Sequence, residues 1–153
     1  MKKKFENLDG FVKNNIHFYP LRVFYEDTDA GQIVYHTNYL KYFERARSSL
    51  LNLLKINQLN LKKTDDIILV VKKADVNWYK SAKLNDNLLI ETCLKYAKNS
   101  SITINQDAYK YDSNNNQNEL LVSGIIQIVA INSLNKVQKM NSVLNHKFFQ
   151  NKS

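Results

Sequence analysis

Cysteine is the scarcest chemistry in this sequence. Cys93 stands alone, so no internal disulfide is open to the chain, and without a second cysteine or a histidine at a set spacing it makes no zinc site. It is expected to serve as a small apolar residue in a strand. Long apolar runs are missing from the first part of the chain as well. Only residues 8–12 interrupt the polar stretch 1–15, which offers neither the apolar centre of a signal peptide nor the length of a membrane span. A cytoplasmic protein without an integral membrane segment is expected. No internal repeat is visible, and 153 residues, 44% of them hydrophobic, suffice for one core, so one domain is expected.

Charge is unbalanced, with a net value of +8. A basic chain can serve nucleic acid, an anionic membrane surface or an acidic small partner. The lysines are scattered in pairs such as Lys62-Lys63 and Lys72-Lys73, with no arginine-rich segment, aromatic-basic RNA motif or zinc finger. Nucleic acid is therefore not an expected partner. What remains is a solvated basic surface, or a patch that holds phosphates or an acidic carrier protein.

Residues 1–17, rich in Lys and Asn and without a sustained period, read as a flexible basic arm; residues 18–145 read as the single domain and 146–153 as a tail. Residues 21–25 predict a strand ending at the acidic cluster Glu26, Asp27 and Asp29, after which Gly31 allows a turn. From about Asn38 the apolar positions Tyr39, Phe43, Ala46, Leu50 and Leu54 recur at steps of four and three, one face of a helix that should fade near Asn57. Thr37 or Asn38 stands where a cap is needed. Beyond a polar linker at 62–66, residues 67–71, 74–79, 88–96, 101–111 and 120–131 predict strands, with no second helix. The plan is α+β, one helix packed against an antiparallel sheet. Strand 120–131 is apolar on both faces, so a further cover is expected, and homodimerisation is the economical one.

The segment from Tyr25 to Tyr39 carries the chemistry. It places three carboxylates and His36 between a strand and the start of a helix, whose unpaired amides and partial positive charge would stabilise an oxyanion without a metal. A carboxylate held nearby can attack a thioester carbonyl or activate a water to do so. Read alone, such acids before a helix serve more often as caps and dipole partners than in catalysis.

The string Glu26-Asp27-Thr28-Asp29-Ala30-Gly31, followed by Val34-Tyr35-His36, Asn38-Tyr39 and Phe43-Glu44-Arg45-Ala46-Arg47, closely resembles the signature of the 4-hydroxybenzoyl-CoA thioesterase family. It is most similar to the branch of acyl-CoA thioesterases associated with the Tol-Pal system. Trp78-Tyr79-Lys80-Ser81-Ala82 resembles the family's aromatic-x-x-Ala segment, and the likeness runs from about Tyr19 to about Met140. It implies the hotdog fold, a long central helix wrapped by an antiparallel sheet. By the same resemblance Asp29 is the catalytic carboxylate, and the helix-start amides polarise the thioester carbonyl. His36 either orients water or donates to that carbonyl, unless it caps the helix through a ring nitrogen. Tyr35 shapes the pocket, and Gly31, Gln32, Thr37 and Asn38 are implied at the substrate. Glu26 and Asp27 hold the loop. The usual Gly-Gly pair reads Gly31-Gln32 here, so Gln32 narrows the site or adds a donor.

The implied reaction is hydrolysis of an acyl-CoA or carrier-protein thioester by a homodimer or homotetramer, with no metal or bound cofactor. The acyl group would lie in an apolar slot beside the helix. The alternative is a non-catalytic acyl-carrier-binding module of the same fold. A hotdog dehydratase would need a histidine in the helix, and residues 39–54 contain none.

Overall fold

The computed structural model describes residues 8–112, 114, 117–140 and 143–151. Two short strands open the chain, β1 (Phe11–Lys13) and β2 (Ile16–Arg22), followed by helices α1 (Asn38–Leu53) and α2 (Gln58–Asp65). Strands β3 (Ile68–Trp78), β4 (Asn87–Ala97), β5 (Ser101–Asp112) and β6 (Gln117–Ile131) complete a sheet of order β1-β2-β4-β5-β6-β3. Every pairing is antiparallel. No described helix is long and apolar enough to cross a membrane.

The four-and-three spacing of α1 becomes its buried face, with Tyr39, Tyr42, Phe43, Ala46 and Leu50 at 2% exposure or less. That face packs on alternate residues of the sheet, among them Leu88, Ile90, Ile104, Ala108, Val122 and Ile126. Full burial of a side chain the size of Phe43 contributes about 1.5–3 kcal/mol. Its ring is seated because position 124 has no side chain: a Cβ there would come within 2.9 Å of Phe43 Cε2. Gln106, wholly buried, then joins helix to sheet. Its Nε2 donates to Phe43 O (3.1 Å) and Thr92 Oγ1 (2.9 Å), while Arg47 Nη1 donates to its Oε1 (2.8 Å).

Several sequence expectations need correction. The arm does not stay loose through residue 17, because β1 and β2 form a hairpin over Asn14 and Asn15, both with left-handed backbone (φ 51° and 61°). β2 goes on to pair with β4, and Phe11 stacks on Phe18 at 5.1 Å. Residues 1–7 lie outside the described residues. The expected strand 21–25 thus begins earlier, at Ile16, and stops at Arg22. The tail also folds. Phe148 and Phe149 sit in a short 3-10 turn at 1% and 6% exposure and join the core with Met140, Val143 and Leu144, supplying part of the further cover the sheet required.

A second helix exists where a linker was expected. α2 is capped by Asn57, whose side chain accepts from Asn60 N–H (3.0 Å), and it ends in a left-handed Asp66 (φ 52°). None of its residues is buried, so it leaves no apolar period to read. α1 ends four residues before Asn57, at Leu53. The strands expected at 67–71 and 74–79 merge into one, β3, from Ile68 to Trp78, whose register slips between Val71 and Lys73.

Candidate active site

Asp29 lies in a tight turn between β2 and α1. Its N–H donates to Ile33 O (3.0 Å), its carbonyl accepts from Gln32 N–H (2.9 Å), and its carboxylate Oδ1 accepts from Gly31 N–H (2.8 Å). The turn closes through Gln32, which adopts left-handed backbone at φ 61°. For a residue with a Cβ that conformation costs about 1–2 kcal/mol. This is the position where the resembling family carries its second glycine, and the backbone explains why.

The turn is tied down on both sides. Thr28 bridges to Val34 and Ile33 to Lys83. Val34 N–H donates to Ala82 O (2.9 Å), and Ala82 N–H donates to the buried Tyr39 Oη (3.0 Å). Asp27, at 6% exposure, accepts from Phe24 N–H through Oδ2 (2.8 Å), and its carbonyl accepts from Tyr35 N–H (3.0 Å) and Asn38 Nδ2 (2.8 Å). Asp27 therefore organises the loop, in line with its expected role. Tyr42 Oη is buried nearby without a partner of bonding geometry, and burial, followed by the Asp27 charge, pushes its pKa up.

The start of α1 corrects one expectation, that Thr37 or Asn38 caps the helix. Asn38 is buried, and its Nδ2 donates to the Asp27 carbonyl. Thr37 is the N-cap residue, yet its side chain makes no cap bond, so neither residue caps α1 as anticipated. The first turn is instead tightened by backbone bonds from Asn38 N–H to Tyr35 O (2.8 Å) and Leu40 N–H to Thr37 O (3.1 Å).

Asp29 forms part of the wall of two clefts. The first, of about 230 Å³, also contains Tyr35, His36, Tyr39, Trp78 and Tyr79. His36 is exposed between aromatic rings, 4.6 Å from Tyr35 and 5.9 Å, edge-on, from Trp78. Trp78 Nε1 donates to the His36 carbonyl (3.1 Å), which fixes the backbone entering α1. The second cleft, of about 780 Å³, brings Gly31 and Gln32 together with Tyr25, Lys83 and Leu84. Asp29 is common to both. Trp78, Tyr79 and Lys83 were not expected at the site. Trp78 and Tyr79 fall in the aromatic-x-x-Ala segment and Lys83 one residue beyond it, and the sheet brings Trp78 across 42 positions of sequence to His36.

With this geometry in place, comparison with known proteins is informative. The profile of the Thioesterase-like superfamily matches residues 23–148. The chain is 42% identical over 88 residues to the acyl-CoA thioesterase YbgC of Haemophilus influenzae, a match spanning 58% of this chain and 65% of that protein. It is 34% identical over 116 residues to the acyl-CoA thioester hydrolase YbgC of Escherichia coli O157:H7, covering 76% of this chain and 82% of the relative. The crystal structure of a 1,4-dihydroxy-2-naphthoyl-CoA thioesterase from Synechocystis superposes with a TM-score of 0.74 at 20% identity, over 86% of this chain and 98% of that one. At that identity the likeness speaks to the fold. The match of the family profile across most of the chain, on an antiparallel sheet around a central helix, shows that this chain belongs to the Thioesterase-like superfamily and has the hotdog fold.

Proposed function

We propose that this chain hydrolyses acyl-CoA thioesters to a free carboxylic acid and CoA, with Asp29 as general base or nucleophile. The observation that carries the reading is the placement of one exposed carboxylate, oriented through Oδ1 by Gly31 N–H, on the wall shared by two clefts at the start of α1. As a base, Asp29 takes a proton from water. The resulting hydroxide adds to the thioester carbon, the C–S bond breaks, and the proton passes to the departing thiolate. The N-terminal end of α1 stabilises the charge that develops on the carbonyl oxygen. His36, on the same cleft wall, orients the water or donates to that oxygen.

A homodimer completes this picture. β3 is an edge strand of 11 residues whose outer row of backbone groups has no strand beside it among the described residues of one chain, and a second copy satisfies it. In a twofold antiparallel pairing the Trp78 end of one β3 meets the Ile68 end of the other. The Asp29 cleft of one protomer then approaches the apolar slot of its partner. Within a protomer that slot, of about 90 Å³, lies beside the C-terminal half of α1 between Leu50, Leu51, Leu69, Ile104 and Phe149. It is the proposed seat of the acyl tail.

The test is thiol release from short, aromatic and long acyl-CoAs by wild type and Asp29→Asn. Asparagine retains an oxygen for Gly31 N–H, so the loop should hold while turnover falls by about 10²- to 10⁴-fold. Equal rates in the two proteins remove Asp29 from the chemistry. No turnover by wild type on any substrate favours a non-catalytic acyl-carrier-binding module.

A further inference from the structure

Asp29 separates two clefts of different character, and hydrolysis by itself assigns only one of them. A thioester whose carbonyl carbon is held at Asp29 must send its acyl group to one side and its thiol carrier to the other. The smaller cleft is walled by rings, Tyr35, His36, Trp78 and Tyr79, and Trp78 ends the strand edge that meets the partner in the proposed dimer, so the acyl group leaves on this side toward the partner's apolar slot. The larger cleft, of about 780 Å³, has the Gln32 side chain, the Tyr25 ring at 83% exposure, Leu84 at 42% and one cation, Lys83.

Lys83 differs from the lysines around it. Lys80 is paired with Glu119 and Lys110 with Asp86, whereas among the described residues no carboxylate pairs with the Lys83 ammonium. Its backbone is nonetheless rigidly placed. It bridges to Ile33 in the catalytic turn, its N–H donates to Asp86 Oδ2 (2.9 Å), and its carbonyl accepts from Asp86 N–H (3.1 Å). The adjoining Asn85, left-handed at φ 68°, donates to Val23 O (3.0 Å). A flexible cation on a fixed base, exposed at a cleft beside the reaction centre, is suited to an anionic group of the substrate.

We infer that this cleft is the thiol-carrier subsite, in which the Lys83 ammonium pairs with phosphoryl oxygens of the pantetheine arm and the Tyr25 ring packs against the arm. The inference rests on Asp29 as the reaction centre. Both CoA and the phosphopantetheine group of a carrier protein present such a phosphate, so the test uses one acyl group on three thiols: pantetheine, 4′-phosphopantetheine and CoA.

Wild type should favour the two phosphorylated thioesters over acyl-pantetheine in kcat/KM. Lys83→Ala should reduce that preference about fivefold to tenfold, the range for a partly screened charge-assisted contact, with the change falling in KM. Lys83→Arg should restore it, and added salt should bring wild type toward the alanine variant. An equal reduction on acyl-phosphopantetheine and acyl-CoA places the contact on the arm's phosphate, shared with carrier proteins, whereas a reduction confined to acyl-CoA places it on the nucleotide phosphates and overturns the assignment to the arm. The inference is overturned if the preference is unchanged, or if acyl-pantetheine loses as much as the others, which marks Lys83 as structural. Failure of wild type on all three thioesters overturns the hydrolase reading together with the inference.

Discussion

Replacing Gly31 by alanine tests whether the exact seat of the Asp29 carboxylate matters, separately from its presence. The Gly31 backbone does not lie in the left-handed region, so alanine is compatible with its conformation. The added Cβ would lie 3.1 Å from Asp29 Oδ1, against about 3.4 Å for ordinary van der Waals contact, so the carboxylate must retreat by about 0.3 Å. If a misplacement of about 1 Å costs about 100-fold in rate, logarithmic scaling makes this retreat cost about fourfold. Stability should not fall with it. The site is exposed, and glycine-to-alanine changes at permitted conformations stabilise by about 0.4–1 kcal/mol through the unfolded chain. The assay is kcat/KM on one acyl-CoA beside thermal unfolding, in which about 1 kcal/mol moves Tm by about 2–4 °C for a chain of this size. In an Asp29→Asn background the same alanine should have no further effect on rate, because the group it displaces is already disabled. A Gly31→Ala protein that is fully folded and as fast as wild type would refute the reasoning.

Two other outcomes follow from the fold. His17 is fully buried, with Nε2 2.7 Å from Asp9 O and Nδ1 unpartnered; burial lowers its pKa below 6.5, only partly opposed by the Asp9 carbonyl and charge. As pH falls below 6.5 the unfolded chain takes up this proton before the folded one, so the contribution of neutral His17 is full above 6.5 and is lost as pH falls toward its folded pKa. Urea midpoints from about pH 8 to about pH 5 should therefore fall more steeply for wild type than for His17→Gln, and parallel curves would contradict the burial argument. Light scattering should give a mass of about twice the 17.9 kDa of one chain. A mass of one chain at working concentration would remove the paired β3 edges from the proposed site.

The sequence determined those features that repeat along the chain or stand together in it. The spacing of Tyr39, Phe43, Ala46 and Leu50 marked α1 because one buried face must recur with the helical period. β-rich runs marked β3 to β6, and the acidic turn before the helix marked Asp29 and His36 because neighbours in sequence are neighbours in a turn. What has no period was not legible. α2 buries no residue, β1 is three residues long, and Phe148 and Phe149 are an isolated apolar pair whose burial depends on where the chain returns. Gln32 showed as a departure from a glycine pair, but only the φ of 61° explains what glycine would relieve there. Tertiary structure alone decided that the Asn38 amide meets the Asp27 carbonyl, that Trp78 meets His36, and that Lys83 stands beside the Asp29 turn. These depend on how distant segments meet; for Trp78, at the end of β3, a register shift of one residue would turn the side chain to the opposite face of the sheet.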